Sequence, residues 1–122
     1  MILVDTSVWI DHLRAGDKYL ADLLNSSQVL GHPFVIGELA CGNLKRRDEI
    51  LSLLRSLPRV VEADHDEVLT LVDAKRLSGR GLGWVDVHLL ASAVLSGTTL
   101  WTLDKRLAGQ AKKLAVLFES SA

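Results

Sequence analysis

Four carboxylates in this sequence have neighbours that solvated surface charges rarely have: Asp5, Glu38, Asp86 and Asp104. Glu38 lies in Pro33-Phe34-Val35-Ile36-Gly37-Glu38-Leu39-Ala40-Cys41-Gly42, where every other residue is apolar or glycine. On a helix its face neighbours are Phe34, Val35, Cys41 and Gly42. An ionised glutamate there is costly unless it is paired, bound to a cation, or carried on a helix at the surface. Asp86 opens Val85-Asp86-Val87-His88-Leu89-Leu90-Ala91, part of a helix apolar almost all round and so expected to be buried. An acid in a first helical turn is also favoured by the helix dipole, by about 0.3–1 kcal/mol, so Asp86 alone has two explanations. Asp5 and Asp104 each stand between an apolar strand and a helix, and either alone reads as an N-cap. Asp48, Glu49, Asp66, Glu67 and Asp73 lie on polar helix faces and read as solvated charges.

If the four unusual acids converge, their repulsion must be relieved by protons or by cations. Oxygen-only ligands favour Mg²⁺ or Mn²⁺. Neither a helical His-Glu-x-x-His nor a Cys/His cluster points to zinc. Mg²⁺ held by few carboxylates keeps open positions, as phosphate chemistry requires, and can activate water and neutralise charge on a phosphate.

The elements that would position these acids can be read from periodicity. Short apolar strands are expected at residues 1–4, 28–30, 59–62 and 99–103, with a further strand at 115–118. Helices are expected from Thr6 to about Arg14, after the Asp17 cap, over 33–41, over 45–57, from Asp64 or Asp66 toward Gly79, over 85–95, and over 105–114. Strands alternating with helices imply an α/β fold, a parallel sheet covered on both faces. Such sheets carry their sites beyond the carboxyl ends of the strands, where Asp5 and Asp104 fall.

The 122 residues fit one domain, spanning 1–122, and the 48% apolar content is enough to bury a core without disulfides. Cys41, the single cysteine, is expected to be a small buried apolar residue. It cannot form an internal disulfide, a reduced cytoplasmic setting is expected, and no apolar run is long enough to span a bilayer. A net charge of −1 means that any nucleic-acid binding must come from local basic groups or metal ions.

Four segments stand out in order: Val4-Asp5-Thr6-Ser7-Val8-Trp9-Ile10, Glu38-Leu39-Ala40, Asp86-Val87-His88-Leu89-Leu90-Ala91 and Leu103-Asp104-Lys105-Arg106-Leu107. Together they resemble the PIN-domain ribonucleases. More narrowly they look like the VapC-type toxins of bacterial toxin–antitoxin pairs, nearly end to end. The resemblance implies a three-layer α/β/α sandwich and a Mg²⁺- or Mn²⁺-dependent endoribonuclease. It matches Asp5, Glu38 and Asp86 to the family's first three metal-binding acids, Asp104 to its more variable fourth, and Thr6 to a hydroxyl residue that supports the site. It also implies an RNA substrate, a homodimer, and silencing by a VapB-like antitoxin that covers the metal site. No further acid closely follows Asp104, where some relatives carry one, which bears on whether one or two ions bind.

Other features carry less. Gly79-x-Gly81-x-Gly83 lacks the spacing of a phosphate loop and reads as a flexible connector, although Arg80 could reach a phosphate. Lys105 and Arg106, beside Asp104, are the best candidates for RNA contact. His12, His32, His65 and His88 share no ligand spacing; His88 reads as a core or dimer-interface residue. Trp9 and Trp84 read as core or interface. Two other readings remain open: a Mg²⁺-binding receiver-like signalling module, and a non-catalytic PIN scaffold. The first would need adjacent acids after strand one, where Thr6-Ser7 stand; the second is disfavoured by the presence of all four acids.

Overall fold

Three short strands form the sheet: β1 (Ile2–Val4), β2 (Val29–Leu30) and β3 (Thr99–Trp101) in the computed structural model, which describes residues 1–119. Their order is β2-β1-β3 and both pairings are parallel, with Val4 level with Trp101. Seven helices accompany them among the described residues: α1 (Thr6–Ala15), α2 (Lys18–Asn25), α3 (Pro33–Ala40), α4 (Arg47–Ser56), α5 (His65–Ala74), α6 (Trp84–Ser96) and α7 (Lys105–Lys113). All of β1 and β2, with Leu100 and Trp101, are buried. Strand side chains alternate between faces, so both faces are covered and the expected three-layer α/β/α arrangement follows. From β1 the chain passes to β2 on one side, whereas β3 lies on the other. The crevice at the carboxyl ends of β1 and β3 is therefore a switch point, where such sheets bind ligands.

Local rules account for most element ends. Gly16 and Gly97 end α1 and α6 with φ of 79° and 64°, a region glycine enters without steric cost. Pro33 starts α3, where its missing N–H is not needed. Asp64 and Glu67 form a capping box on α5, with bonds of 2.8 and 3.0 Å. In α6, residues Val87 to Ala93 are all buried, as its apolar sequence predicts.

Several expectations are corrected. The strands at 59–62 and 115–118 reduce to single bridges, Gly31 with Arg59 and Leu100 with Leu117. At 59–62 the ladder stops because the Val61 N–H is taken by Ser96 Oγ at 3.0 Å. At 115–118, Ala115 has a φ of 60°, which leaves residues 116–118 to flank Leu100. β3 ends at Trp101 rather than 103, since side-chain oxygens accept the next N–H groups, as described below. α4 begins at Arg47 because Arg46 is left-handed, and α5 ends at Ala74 before the left-handed Arg76.

Cys41 is exposed, contrary to expectation. Helix α3 buries Val35 and Leu39, and the opposite face carries Phe34, Gly37, Glu38 and Cys41 outward. With apolar residues on both faces, the sequence holds no contrast that tells inside from outside. No helix among the described residues is long and apolar enough to cross a membrane.

Candidate active site

The register of β1 and β3 builds the centre of the site. Val4 pairs with Trp101, so the next residues, Asp5 and Thr102, meet just beyond the ladder. The Asp5 N–H donates to the Trp101 carbonyl at 2.9 Å. Asp5 occupies the N-cap position of α1, yet its side chain caps nothing. Instead its Oδ2 accepts the hydroxyls of Ser7 and Thr102, each at 2.7 Å. Those two hydroxyls also accept backbone N–H groups, Ser7 from Leu103 and Thr102 from Asp104, both at 3.0 Å. The residues that end β3 and begin α7 are thus tied to Asp5 through two side-chain oxygens.

Each of the other acids is held in the same one-sided manner. Thr6 Oγ1 donates to Glu38 Oε1 at 2.7 Å. The Gly83 N–H donates to Asp86 Oδ2 at 2.9 Å. Asp104 caps α7, its Oδ1 accepting the N–H groups of Arg106 and Leu107 at 2.9 and 3.1 Å. In all four carboxylates one oxygen is oriented by protein donors, and the other accepts no hydrogen bond among the described residues. None of the four is ion-paired there either; the salt bridges join Asp11, Glu49 and Glu62 to arginines.

The four charges share one region. The Asp86 carboxyl is held above the usual carboxylate value, first by burial and then by the negative charges of Asp5, Asp104 and Glu38, against the opposing Gly83 hydrogen bond. Burial ranks the acids differently from the sequence. Asp5 is 7% exposed, Asp86 is intermediate, and Glu38 and Asp104 are exposed. The desolvation cost expected for Glu38 is therefore absent, because its helix lies at the surface. Asp5, which like Asp104 reads in the sequence as a simple cap, is the buried one.

This donor set suits a hard divalent cation: oxygen only, uncompensated by arginine or lysine, and braced by outer hydrogen bonds of the kind that orient metal ligands. No group of three or more Asp, Glu, His or Cys side chains among the described residues is placed to hold a metal ion together. Mg²⁺ does not need such a group, since it keeps several waters and is held through one or two carboxylates.

The histidines stand apart from this chemistry. His32 caps α3, its Nδ1 accepting the Phe34 N–H at 3.0 Å, while its Nε2 is buried with no hydrogen-bond partner among the described residues. Burial, then the charges of His88 and Arg59, lower its pKa to about 4. His88, also lowered, chiefly by burial, is packed between the rings of Phe34 and Trp84, each centroid 4.6 Å away. Both imidazoles are neutral packing groups at neutral pH. Of the basic candidates, Lys105, Arg106 and Arg80 are all exposed. Arg80 turns back toward the Arg76 carbonyl at 3.4 Å, whereas Arg106 packs across Gly81.

Two supporting residues, Ser7 and Thr102, are not singled out by sequence as site groups. The parallel register would have found Thr102, because it lies one step beyond the Val4–Trp101 pair.

Known proteins resemble this chain over most of its length. The PIN-domain family model matches residues 2–113. Ribonuclease VapC32 from two strains of Mycobacterium tuberculosis is 56% identical over 108 residues, covering 88% of this chain and 87% of each relative. The fold and these matches lead to one assignment: this chain belongs to the PIN-domain family, in its VapC-type branch.

Proposed function

We propose that the chain is a Mg²⁺- or Mn²⁺-dependent endoribonuclease acting as the toxin of a toxin–antitoxin pair, with Asp5, Glu38, Asp86 and Asp104 as its catalytic and metal-binding acids. The observation that carries the metal centre is the shared arrangement of the four carboxylates, each with one oxygen braced and the other unpaired. The choice of RNA as substrate and the toxin role rest on the ribonuclease relatives.

The unpaired oxygens are Oδ1 of Asp5, Oε2 of Glu38, Oδ1 of Asp86 and Oδ2 of Asp104. These acids would hold a divalent cation, directly or through its waters, and that cation would supply charge neutralisation to a bound phosphate. Ser7 and Thr102 fix the Asp5 carboxylate, and Thr6 fixes Glu38. Water attacks the phosphorus in line, one carboxylate oxygen takes up its proton, and the P–O3′ bond breaks. The products are a 5′-phosphate and, after O3′ gains a proton, a 3′-hydroxyl. Lys105 and Arg80 contribute cations for the flanking phosphates. The proposed assembly is a homodimer in a single-domain format, silenced by a separate antitoxin that covers the acids.

The test is cleavage of single-stranded RNA by purified protein in Mg²⁺ and in chelator, alongside Asp5→Asn. The expected result is Mg²⁺-dependent cleavage by the wild type, with 5′-phosphate ends, and none by the folded variant. Equal cleavage by both proteins, or wild-type cleavage in chelator, refutes the assignment. Mapping RNA 5′ ends after brief induction in cells would then name the target.

A further inference from the structure

We infer that Arg106, whose side chain lies over Gly81, is a phosphate-binding residue that seats the RNA backbone at the rim of the acid site, an inference that rests on the RNA-cleaving reading above. Arg106 lies in the first turn of α7, two residues after Asp104. Its side chain crosses to the loop before α6. A Cβ added to Gly81 would lie 2.7 Å from Arg106 Cδ, 3.1 Å from Nη1 and 3.2 Å from Nε. The aliphatic stem and one edge of the guanidinium therefore lie directly on the Gly81 backbone. A side chain at position 81 would displace Arg106 from this place, and the φ of 79° favours glycine there.

This placement joins two acid-bearing elements. Gly81 is two residues before Gly83, whose N–H orients Asp86, and Arg106 supplies the backbone N–H that orients Asp104. Yet the guanidinium itself makes no ion pair and no hydrogen bond among the described residues. Its donors are therefore free beside Gly81. A guanidinium presents a planar fork that matches two phosphate oxygens. Net charge is −1, so a cation at the rim also offsets the repulsion between the acids and an incoming phosphate.

Two glycines of one loop make the test specific. Gly79 has nearly the same φ, 72°, but a Cβ added there would meet nothing within 4 Å. Gly79→Ala and Gly81→Ala impose similar backbone strain, and only the second displaces Arg106. The experiment measures kcat and KM on a short single-stranded RNA, with its binding by anisotropy in the Asp5→Asn background, for wild type, Arg106→Ala, Arg106→Lys, Gly81→Ala and Gly79→Ala. Arg106→Ala should raise KM and Kd by roughly 10–100-fold, with a smaller change in kcat. The slope of log affinity against log salt should fall by about 0.7. Gly81→Ala should move KM in the same direction, Arg106→Lys should recover part of the loss, and Gly79→Ala should match wild type. Thermal melting checks that each variant is folded; if Gly81→Ala is not, the two Arg106 variants decide. Wild-type cleavage with unchanged KM and salt slope in Arg106→Ala overturns this inference and leaves the nuclease reading standing. A wild-type chain that neither binds nor cleaves RNA overturns both.

Discussion

Replacing Thr102 by valine should damage the site without touching any of its acids. The hydroxyl donates to Asp5 Oδ2 at 2.7 Å and accepts the Asp104 N–H at 3.0 Å, in a residue 8% exposed. Valine keeps the shape and removes both bonds. A hydrogen bond to a charged group contributes about 1.5–3 kcal/mol, and a buried N–H left unpaired costs about 1–3 kcal/mol. Ser7 still donates to the same oxygen, and the Asp104 N–H is only partly buried, so the net loss should be about 2–3 kcal/mol. For a chain of 122 residues, that lowers Tm by roughly 10 °C. Loss of an outer-shell partner should also weaken Mn²⁺ binding by about 10–100-fold. Ser7→Ala should behave similarly but more mildly, and the double variant should lose more than the sum, because both hydroxyls serve one oxygen. Thermal melts in chelator and calorimetric Mn²⁺ titration measure the two effects separately. A lower Tm with unchanged Mn²⁺ affinity would refute the idea that Thr102 positions Asp5 for a cation. Wild-type behaviour in both assays would refute the hydrogen-bond account itself.

Other outcomes follow from single groups. The folded Asp86 carboxyl lies above its ordinary 3.8, so the folded chain binds that proton more tightly than the unfolded chain. Its stabilising contribution is present below 3.8 and is lost as pH rises through the folded value. In chelator, wild type should lose stability relative to Asp86→Asn as pH rises toward neutrality, and a pH-independent difference would contradict this. His32 runs the other way, with its pKa lowered from 6.5 to about 4. Folding should lose stability as pH falls from 6.5 toward 4, and His32→Asn, which keeps a capping acceptor, should flatten that fall in denaturant titrations. Leu100→Ala, at a fully buried position of β3, should cost about 2–5 kcal/mol in urea unfolding.

Much of this layout can be read from chain chemistry, and the misses have physical causes. β1, α6 and the parallel sheet are legible because apolar runs, glycine stops and helical spacing agree there. The strands at 59–62 and 115–118 are overestimated because apolar composition cannot show that Ser96 takes a ladder N–H or that Ala115 turns left-handed. All four acids are identifiable as a set, but their burial is not. Glu38 looks costly because α3 is apolar on both faces, and Asp5 looks like a cap because a strand–helix junction usually needs one. What removes Asp5 from capping is Thr102, 97 positions away in the chain. Local sequence cannot supply that contact, although parallel register can.

The most direct measurement is calorimetric titration of Mn²⁺ into the wild type and into Asp5→Asn, Glu38→Gln, Asp86→Asn and Asp104→Asn, each verified as folded. If the four acids form one cation centre, the wild type binds Mn²⁺ and every variant binds it more weakly, Asp5→Asn most severely because its carboxylate is the buried and doubly braced one. A wild type that does not bind Mn²⁺, or variants that all bind as the wild type does, would contradict the account.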